Sequence, residues 1–396
     1  MKRHHGSERP YDVVLYGATG FVGTLTAAYL AAHAPEGVRW ALAGRSRGKL
    51  ERLRAELAAG HPRRPEPALL VADADDPRAL RELALSARAV ATTVGPFLTY
   101  GNALVAACAG AGTDYLDLTG EAEFIDRTWL DHDALARETG ARLVHACGFD
   151  SVPHDLGAYF TVRQLPAGVP LRVDAFVRTR AVFSGGTFAS AVNAMGRGRQ
   201  MLAVARERRA REPRLTGRRV RTPLGAPHFS AATGTWALPL PTVDPQIVGR
   251  SARALECYGP DFRYRHFASV KHLPVALGGT AGTAALVAAA QLPAARNWLT
   301  GRYRAGEGPD EARRKRSRFT VRFVGEGGGR RVFTEVSGGD PGYDETARML
   351  GEAALCLALD DLPETAGQVT TAVAMGDALL ERLRASGLGF RVAARL

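Results

Sequence analysis

The sequence predicts an α/β protein that begins with a doubly wound parallel sheet and continues into an α+β domain with an antiparallel sheet. Three observations carry this prediction. Apolar runs alternate with helical stretches through residues 11–150, which is the rhythm of a parallel sheet. A glycine-rich turn at residues 17–23 joins the first apolar run to the first helical stretch. Beyond Pro153, two strand-like runs flank another glycine-rich turn, which is typical of a hairpin.

The predicted elements divide the chain into two parts. In the first part, strands are predicted at residues 13–16, 38–43, 68–72, 87–94, 115–118 and 141–146, and helices at 24–30, 49–59, 77–86 and 103–109. In the second part, strands are predicted at 171–179, 318–324 and 331–336, and helices at 189–206, 346–359 and through the rest of the C-terminus. We therefore expect a Rossmann-type nucleotide-binding domain at 10–152 and a substrate or dimerisation domain at 153–343. The helices predicted at 344–396 belong to either domain and are able to pack back on the first one.

The first glycine turn has the spacing of a dinucleotide site. Gly17 permits the tight turn, Gly20 lets the backbone approach a pyrophosphate, and Gly23 lets helix and strand pack closely. The pyrophosphate would lie at the helix N-terminus, where unpaired N–H groups point outward. A glycine turn without a ligand is the alternative. The expected cofactor residues of this turn are Gly17, Thr19, Gly20, Phe21, Val22 and Gly23.

The end of the second predicted strand selects between NAD and NADP. An NAD site usually has an acidic residue there that binds the ribose 2′-hydroxyl, whereas this chain has Arg45 and Ser46. Arg45 is able to pair with a 2′-phosphate through two N–H groups, and Ser46 is able to donate a hydrogen bond, which favours NADP. Lys49 adds positive charge nearby, although a solvated basic helix start is the alternative. Asp73, after the third strand, is placed either to bind the adenine amino group or to cap the next helix.

The loop after the fourth predicted strand lies at the carboxyl edge of the sheet, where ligands of open α/β folds bind. It contains Gly95, Pro96 and Phe97. We expect the backbone of these three residues to lie beside the nicotinamide end of the cofactor. A plain turn from strand to helix is the alternative.

The composition is that of a globular protein with a strong basic excess. The 396 residues carry a formal net charge of +12, which favours an anionic partner such as a phosphorylated cofactor, a coenzyme A thioester, an acidic carrier protein or a membrane surface. Nucleic acid is not predicted as a partner, because no binding motif accompanies the charge. The four cysteines form no CxxC pair, so neither a disulfide framework nor a metal site is indicated. The polar residues 1–10 lack the apolar stretch of a signal peptide, and a cytoplasmic location is expected.

Several motifs together resemble a known family. They are GATGFVG, AGRS, TTVGPFLTYG, AGTDYLDLTGE and HACGFDSVPHDLG. In combination they resemble the saccharopine dehydrogenase-like oxidoreductases, and within that family the actinobacterial trans-acting enoyl reductases. The later segments SGGTFAS, GEGP and SGGDPGYDETARMLGEAALCLA are similar to the same branch. The resemblance therefore spans residues 11–388.

The resemblance implies an NADP-dependent hydride transfer in a Rossmann domain joined to a smaller α+β domain. Trans-acting enoyl reductases are associated with reducing α,β-unsaturated acyl chains held by polyketide synthases during lipid assembly. By resemblance, the glycine turn, Arg45 and Ser46 hold the cofactor, and the turn at residues 95–97 flanks the nicotinamide.

Reduction of an enoyl group needs a proton donor for the α-carbon in addition to the hydride. Tyr100 follows the turn beside the nicotinamide and is the first candidate donor, with packing as its alternative. Asp150 leads into the second domain, where a cleft is expected, and is a candidate to position substrate or cofactor. His154 is able to carry protons near neutral pH. It departs from the small polar residue of many relatives, so no family role passes to it, and a capping or surface histidine is the alternative.

Other features suit a long acyl substrate. The uncharged segment 275–292 is expected to form a buried helix or the wall of an acyl tunnel, because it is too weakly apolar for a membrane span. Arginine-rich stretches at residues 206–221 and 313–318 offer docking sites for coenzyme A phosphates or an acidic carrier protein, although solvated faces are the alternative. Asp117 and Glu121 either face the cleft or form caps and salt bridges.

Three functions therefore compete. The leading prediction is an NADPH-dependent reductase of the C=C bond in an α,β-unsaturated acyl thioester or a related lipid or polyketide intermediate. The second keeps the cofactor and reduces a C=N or C=O bond of a biosynthetic intermediate. The third is a non-catalytic NADP-binding protein of the membrane surface, which binding to anionic vesicles would distinguish. A homodimer and a peripheral membrane contact are left open.

Overall fold

The computed structural model describes residues 9–181, 192, 196–292, 294–295, 298 and 308–395 of the chain. Within these residues the strands form two separate sheets, one parallel and one mixed. The α/β class predicted from the sequence is confirmed. The second sheet contains parallel as well as antiparallel pairs, which the hairpin pattern alone does not predict.

The first sheet has seven strands in the described part of the chain, all parallel. They are β1 Tyr11–Tyr16, β2 Trp40–Gly44, β3 Ala68–Val71, β4 Ala87–Thr92, β5 Asp114–Leu116, β6 Arg142–Val144 and a late strand, β14 Gly367–Val369. Their spatial order is β14-β6-β5-β4-β1-β2-β3. The order reverses between β1 and β4, and ligands of open α/β sheets bind in the crevice at such a point.

The helices that follow these strands are α1 Phe21–His33, α2 Arg47–Gly60, α3 Pro77–Ser86, α4 Phe97–Tyr100, α5 Asn102–Ala111 and α6 Ala122–Thr139. They cover the sheet on both sides, and the side chains of β1 show why. Val13 and Leu15 pack in the core on one side of the sheet, and Val14 and Tyr16 pack in the core on the other. Because both faces of the strand are buried, it is apolar at successive positions and does not alternate.

The second sheet has eight strands in the described residues. They are β7 Leu171–Arg180, β8 Arg219–Arg221, β9 His228–Ser230, β10 Thr235–Pro239, β11 Asp261–Val270, β12 Arg318–Gly327, β13 Arg330–Gly338 and β15 Gly389–Arg395. The order is β15-β13-β12-β7-β11-β10-β9, with β8 paired to β11. The predicted hairpin is β12 and β13, whose turn contains Gly328 and Gly329 at positive φ.

The later helices are α7 Val152–Val162, α8 Gly198–Arg211, α9 Asp244–Ala254, α10 Leu273–Ala290, α11 Glu311–Arg316, α12 Asp344–Leu359, α13 Thr371–Ala374 and α14 Gly376–Ala385. Helix α7 is the link between the two sheets. It follows β6 of the first sheet and packs on β12 of the second, where a Cβ on Gly157 would lie 2.4 Å from Phe323 Cζ. Residues in its first turn therefore lie between the two sheets.

The C-terminal part of the chain contributes to both sheets. Helix α12 packs against α1, β1 and β4, while β14 pairs with β6 and β15 pairs with β13. The helical composition predicts α12 and α14 correctly, but it does not predict the two strands. The domain boundary at residue 152 stays a prediction.

Helix α10 corrects one expectation. The uncharged segment 275–292 forms a helix as expected, but it is not a buried helix in the described residues. Val275 and Leu277 are 59% and 63% exposed. Among the described residues, no helix combines the length and the apolar character that a membrane span needs.

Some predicted segments lie outside the described residues in whole or in part. The segment SGGTFAS lies outside them entirely, as do residues 1–8 of the polar N-terminus and the first two residues of GEGP. The helix predicted at 189–206 lies partly outside them, and its described part belongs to α8.

Candidate active site

The glycine turn connects β1 to α1 in the conformation that its spacing predicts. Gly17 has a positive φ of 83°, and a Cβ on Gly23 would lie 2.2 Å from the carbonyl oxygen of Gly17. The turn and the helix thus approach at a distance that only glycine allows. A Cβ on Gly20 would meet only that carbonyl oxygen, at 3.4 Å. Packing does not require glycine at position 20, so its missing side chain leaves room for a ligand to approach the backbone.

The N-terminus of α1 suits an anion. Gly20 caps the helix without a side-chain hydrogen bond, and the first turn, which starts with Phe21 and Val22, contains no acidic residue. The N–H groups of a first turn have no partner within the helix. They are therefore available to a pyrophosphate.

The residues that follow β2 and β3 lie side by side at the carboxyl edge of the sheet. The N–H of Ala72 donates to the carbonyl oxygen of Gly44 over 3.1 Å, which brings Arg45 and Asp73 to the same edge. Arg45 and Lys49 are exposed, and Ser46 is the N-cap residue of α2.

Thr19 and Asp73 lie at the same edge of the sheet. A Cβ on Gly44 would lie 4.0 Å from Thr19 Oγ1. The pKa of Tyr16, the last residue of β1, is raised to about 12 by burial and by the negative charges of Asp73 and Asp75. The Asp73 carboxylate therefore lies close enough to affect the end of β1. The capping alternative for Asp73 is wrong, because the side chain of Asp76 caps α3.

The loop after β4 is hydrogen-bonded to the loop after β5. The two carboxylate oxygens of Glu121 accept from the N–H groups of Phe97 and Leu98, at 3.1 and 2.9 Å. Glu121 thereby caps the N-terminus of α4. The capping alternative for Glu121 is therefore the one that the structure shows. Gly95 and Pro96 precede this contact and are joined by a cis peptide bond. The turn predicted beside the nicotinamide is thus connected to residue 121.

Asp117 has a structural role at the end of β5. Its side chain is fully buried and accepts hydrogen bonds from Tyr115 Oη and the N–H of Thr119, both at 3.0 Å. His145 Nδ1 lies 2.6 Å from Asp117 Oδ2. These contacts hold the end of the strand, so Asp117 forms structural hydrogen bonds and an ion pair.

Asp150 has a carboxyl group with a raised pKa next to Gly120. Its side chain is half-buried, and a Cβ on Gly120 would lie 3.7 Å from Asp150 Oδ2. Asp150 therefore lies beside the loop after β5, which Glu121 connects to the loop after β4. Burial and the negative charge of Asp244 raise the pKa of Asp150 to about 7, whereas the charge of His154 acts in the opposite direction. A carboxyl group with this pKa exists in both protonation states near neutral pH, which suits a general acid.

His154 is an interior residue and neither a surface residue nor a helix cap. It is 1% exposed, and its Nδ1 lies 3.0 Å from Asp244 Oδ1. Burial alone would lower the pKa of His154, but the nearby Asp244 raises it. Burial would likewise raise the pKa of Asp244, but His154 lowers it. The two side chains therefore form a buried ion pair, with His154 in its charged form.

A second histidine completes this cluster. His266 Nε2 lies 3.5 Å from Asp244 Oδ2, and His266 Nδ1 lies 2.9 Å from Tyr264 Oη. Burial lowers the pKa of His266 to about 3, although Asp244 opposes this, so its ring is neutral. Ligand atoms of His154, Asp244 and His266 lie within 4.8 Å of one another, close enough to hold a metal ion. The ion pair accounts for the arrangement without one.

The remaining catalytic candidate is Tyr100, and the structure leaves its role a prediction. It ends helix α4 next to the loop at residues 95–97 and is 40% exposed. Its N–H donates to the carbonyl oxygen of Pro96 at 3.0 Å. Tyr100 thus lies in the same loop region as Phe97. Unlike the buried His154, its side chain is exposed to solvent.

Three residues at the site were not predicted from the sequence. Asp244 and His266 come from α9 and β11, far from His154 along the chain. Arg314, in α11, has its guanidinium carbon 5.6 Å from the ring centroid of Phe21 at the start of α1. The only sequence signal for Arg314 was the arginine-rich stretch 313–318, which does not single it out.

The other arginine-rich stretch includes a buried residue. Arg208 is 2% exposed and forms ion pairs with Asp126 at 3.0 Å and Glu212 at 2.9 Å. It is therefore unable to dock a carrier protein or coenzyme A.

Comparison with known proteins agrees with this geometry. The family model described as the saccharopine dehydrogenase NADP binding domain matches residues 13–144. A Mycobacterium tuberculosis protein with the name "Putative trans-acting enoyl reductase" is 39% identical over 97% of both chains. The trans-acting enoyl reductase of Mycobacterium ulcerans is 36% identical over 96% of this chain and 97% of its own length.

A solved structure supports the fold at much lower sequence identity. The apo saccharopine dehydrogenase (L-Glu forming) of Saccharomyces cerevisiae superposes with a TM-score of 0.56 at 12% identity. The match covers 96% of this chain and 99% of the yeast chain. It shows that both sheets, and not only the first, follow the yeast enzyme's architecture.

The fold, the glycine turn and the match to the NADP-binding family model together define an NADP-dependent oxidoreductase. The residues present fit the cofactor, because the turn is open at Gly20 and basic side chains follow β2. The chain belongs to the saccharopine dehydrogenase-like oxidoreductases, alongside the trans-acting enoyl reductases.

Proposed function

We propose that this protein is an enoyl reductase that saturates the C=C bond of an α,β-unsaturated acyl thioester, with Asp150 as the proton donor. The observation that carries the proposal is the half-buried carboxyl group of Asp150 beside Gly120, on the loop that Glu121 joins to residues 97 and 98. The names of the two mycobacterial relatives support the choice of a C=C bond.

Bound NADPH supplies the hydride that adds to the β-carbon of the acyl chain. Asp150 supplies the proton that the α-carbon takes up, because its acid form is populated near neutral pH. Its partial exposure lets the carboxylate regain a proton from water after each turnover. Gly120 leaves room beside Asp150 Oδ2 for the acyl group to approach.

The ion pair of His154 and Asp244 tunes Asp150. The negative charge of Asp244 helps keep Asp150 protonated before the reaction, and the positive charge of His154 stabilises the carboxylate that forms afterwards. Neither side chain reaches the solvent. They are positioning residues in this proposal, and His154 is not the donor.

The cofactor is held at three places in this proposal. Arg45 and Ser46 bind the 2′-phosphate, with Lys49 adding positive charge and Asp73 facing the adenine. The open turn at Gly20 and the N–H groups at the start of α1 bind the pyrophosphate. The backbone at residues 95–97 lies beside the nicotinamide.

The substrate is proposed to arrive as a thioester, free or on a carrier protein. Exposed arginines such as Arg316 suit the phosphate of a phosphopantetheine arm. The four cysteines are all free, and three of them are buried, which fits a reducing compartment and supports a cytoplasmic location.

A substrate screen tests the proposal. The purified protein is incubated with NADPH and matched enoyl, ketone and imine compounds, and NADPH oxidation and product masses are recorded. A gain of two hydrogens across the C=C bond of an enoyl thioester is the expected result. Turnover of only the imine or the ketone would replace this function with another reduction. Tight NADPH binding without turnover, together with binding to anionic vesicles, would favour a non-catalytic protein.

A further inference from the structure

A segment from the second half of the chain crosses the N-terminus of α1. Gly308 packs so closely on Phe21 that a Cβ at position 308 would lie 2.4 Å from Phe21 Cε1. The ring of Tyr343 meets Phe21 edge to face, with centroids 4.9 Å apart. Phe21 is the first residue of α1, so these contacts lie at the end of the helix that would hold the pyrophosphate.

Arg314 is the cation that this segment brings to the helix end. Its guanidinium carbon is 5.6 Å from the centroid of Phe21, and its side chain is only 13% exposed. Nε donates to Asp344 Oδ1 at 2.8 Å, and Nη1 donates to the carbonyl oxygen of Pro309 at 2.9 Å. These two bonds fix the plane of the guanidinium while Nη2 takes no part in either.

The charge balance at the helix end calls for such a cation. A dinucleotide pyrophosphate carries two negative charges, and the first turn of α1 includes no basic residue. Helix N–H groups supply only partial positive charge. The guanidinium of Arg314 supplies hydrogen bonds of the strong, charge-assisted kind, while its pairing with Asp344 offsets part of its charge.

We infer that Arg314 is a binding residue for the cofactor pyrophosphate, contributed from outside the nucleotide-binding sheet. The segment at residues 308–316 would thus lie beside the cofactor pyrophosphate at the start of α1. This inference depends on NADP binding and is independent of which bond the enzyme reduces.

Two ligands separate this role from a purely structural one. NADPH contains the pyrophosphate, whereas 2′-AMP carries the adenosine and the 2′-phosphate without it. Dissociation constants of both are measured by calorimetry for the parent protein, for Arg314→Met, and for Arg313→Met. Arg313 is a matched control, because it is the exposed neighbour with the same charge.

Arg314→Met is expected to raise the Kd of NADPH about tenfold to a hundredfold, as loss of a charge-assisted bond predicts. The Kd of 2′-AMP is expected to stay within twofold, and Arg313→Met is expected to leave both constants within twofold. An unchanged NADPH constant in Arg314→Met overturns the inference. So does an equal loss for both ligands, because that result would mean a rearranged site.

Circular dichroism and thermal unfolding check that Arg314→Met is folded. If it is not, Arg314→Lys is measured in the same way, since lysine keeps the charge and loses the planar fork. A threefold or larger loss for NADPH with unchanged 2′-AMP binding supports the inference, and parental binding of both ligands overturns it. Failure of the parent protein to bind NADPH would instead contradict the cofactor assignment itself.

Discussion

Nδ1 of His154 lies 3.0 Å from Oδ1 of Asp244 in the interior of the protein. Both charges act on Asp150, in opposite directions. The charges of this buried pair therefore affect the pKa of Asp150, the carboxyl group proposed to donate the proton.

The first prediction concerns the proton donor. Asp150→Asn keeps the size of the side chain and removes its acid, so kcat should fall at least about a hundredfold, as for loss of a general acid. NADPH affinity should stay within twofold. Steady-state kinetics and an NADPH titration measure the two effects.

Asp361→Asn is the control, because Asp361 is an exposed carboxyl group on the loop after α12. Tyr100→Phe tests the other candidate donor. A hundredfold loss in Tyr100→Phe, with Asp150→Asn near the parental rate, would reverse the assignment.

The second prediction is the pH profile. Only the protonated form of Asp150 donates, and its pKa is about 7. Therefore kcat/KM should be level below pH 7 and fall about tenfold per pH unit above it. The descending limb should be missing in the residual activity of Asp150→Asn. If that limb persists in the variant, another group is the acid.

The third prediction concerns stability. Asp244→Asn leaves the charged His154 buried without its partner, which should lower the free energy of unfolding by about 3 kcal/mol. Urea unfolding at pH 6 measures this change. Asp377→Asn is the control, since Asp377 pairs with Arg163 at the surface and should cost less than about 1 kcal/mol.

The loss of unfolding free energy in Asp244→Asn should depend on pH in one direction. The pKa of His154 is raised in the folded protein, so the stabilisation by the pair is complete below the unfolded pKa of histidine, about 6.5. It is lost as the pH rises through the raised pKa of the folded state. The difference between parent and Asp244→Asn should therefore shrink toward pH 9. A difference that grows with pH would contradict the ion pair.

The fourth prediction concerns the choice of cofactor. Arg45→Ala should raise the Kd of NADPH about tenfold or more through loss of charge-assisted bonds to the 2′-phosphate. NADH, which lacks this phosphate, should bind as before. Arg47→Ala is the control, because Arg47 is exposed and is paired with Glu51 at 2.9 Å. Equal affinities of the parent protein for NADPH and NADH would refute the role of Arg45.

The fifth prediction concerns the glycine turn. Gly23→Ala places a methyl group 2.2 Å from the carbonyl oxygen of Gly17, which should destabilise the fold by about 2 kcal/mol and weaken NADPH binding. Gly48→Ala is the control, because a Cβ at that position in α2 meets no atom within 4 Å. That change should stabilise the protein by about 0.4–1 kcal/mol. Urea unfolding measures the stability of both variants. A Gly23→Ala variant as stable as the parent protein would contradict the prediction.

Local patterns predicted the parts of the molecule that depend on neighbouring residues. The turn at residues 17–23 is predictable because its conformation needs glycine at fixed positions. The strands of the first sheet are predictable because they are continuous apolar runs. The helix caps were less predictable. Asp73 and Asp76 are both acidic residues before α3, and only the backbone geometry decides that Asp76 is the cap.

The interior of the site was out of reach of such patterns. His154, Asp244 and His266 meet only because α7, α9 and β11 pack together, and no spacing along the chain records this contact. The same is true of Arg314, which reaches Phe21 across the boundary between the two halves. His154 looked like a surface or capping residue because its partner lies 90 positions away.

Strand β14 places residues 367–369 at the edge of the first sheet, beside β6. A ribosome makes this strand after β7 to β13, so the first sheet of the nascent chain keeps an unpaired edge at β6 until nearly the whole protein has emerged. Unpaired edges invite association with other strands. A fragment that stops at residue 152 would carry the same exposed edge permanently, together with the apolar surface that α12 covers. The nucleotide-binding half is thus the first to be synthesised and among the last to be finished.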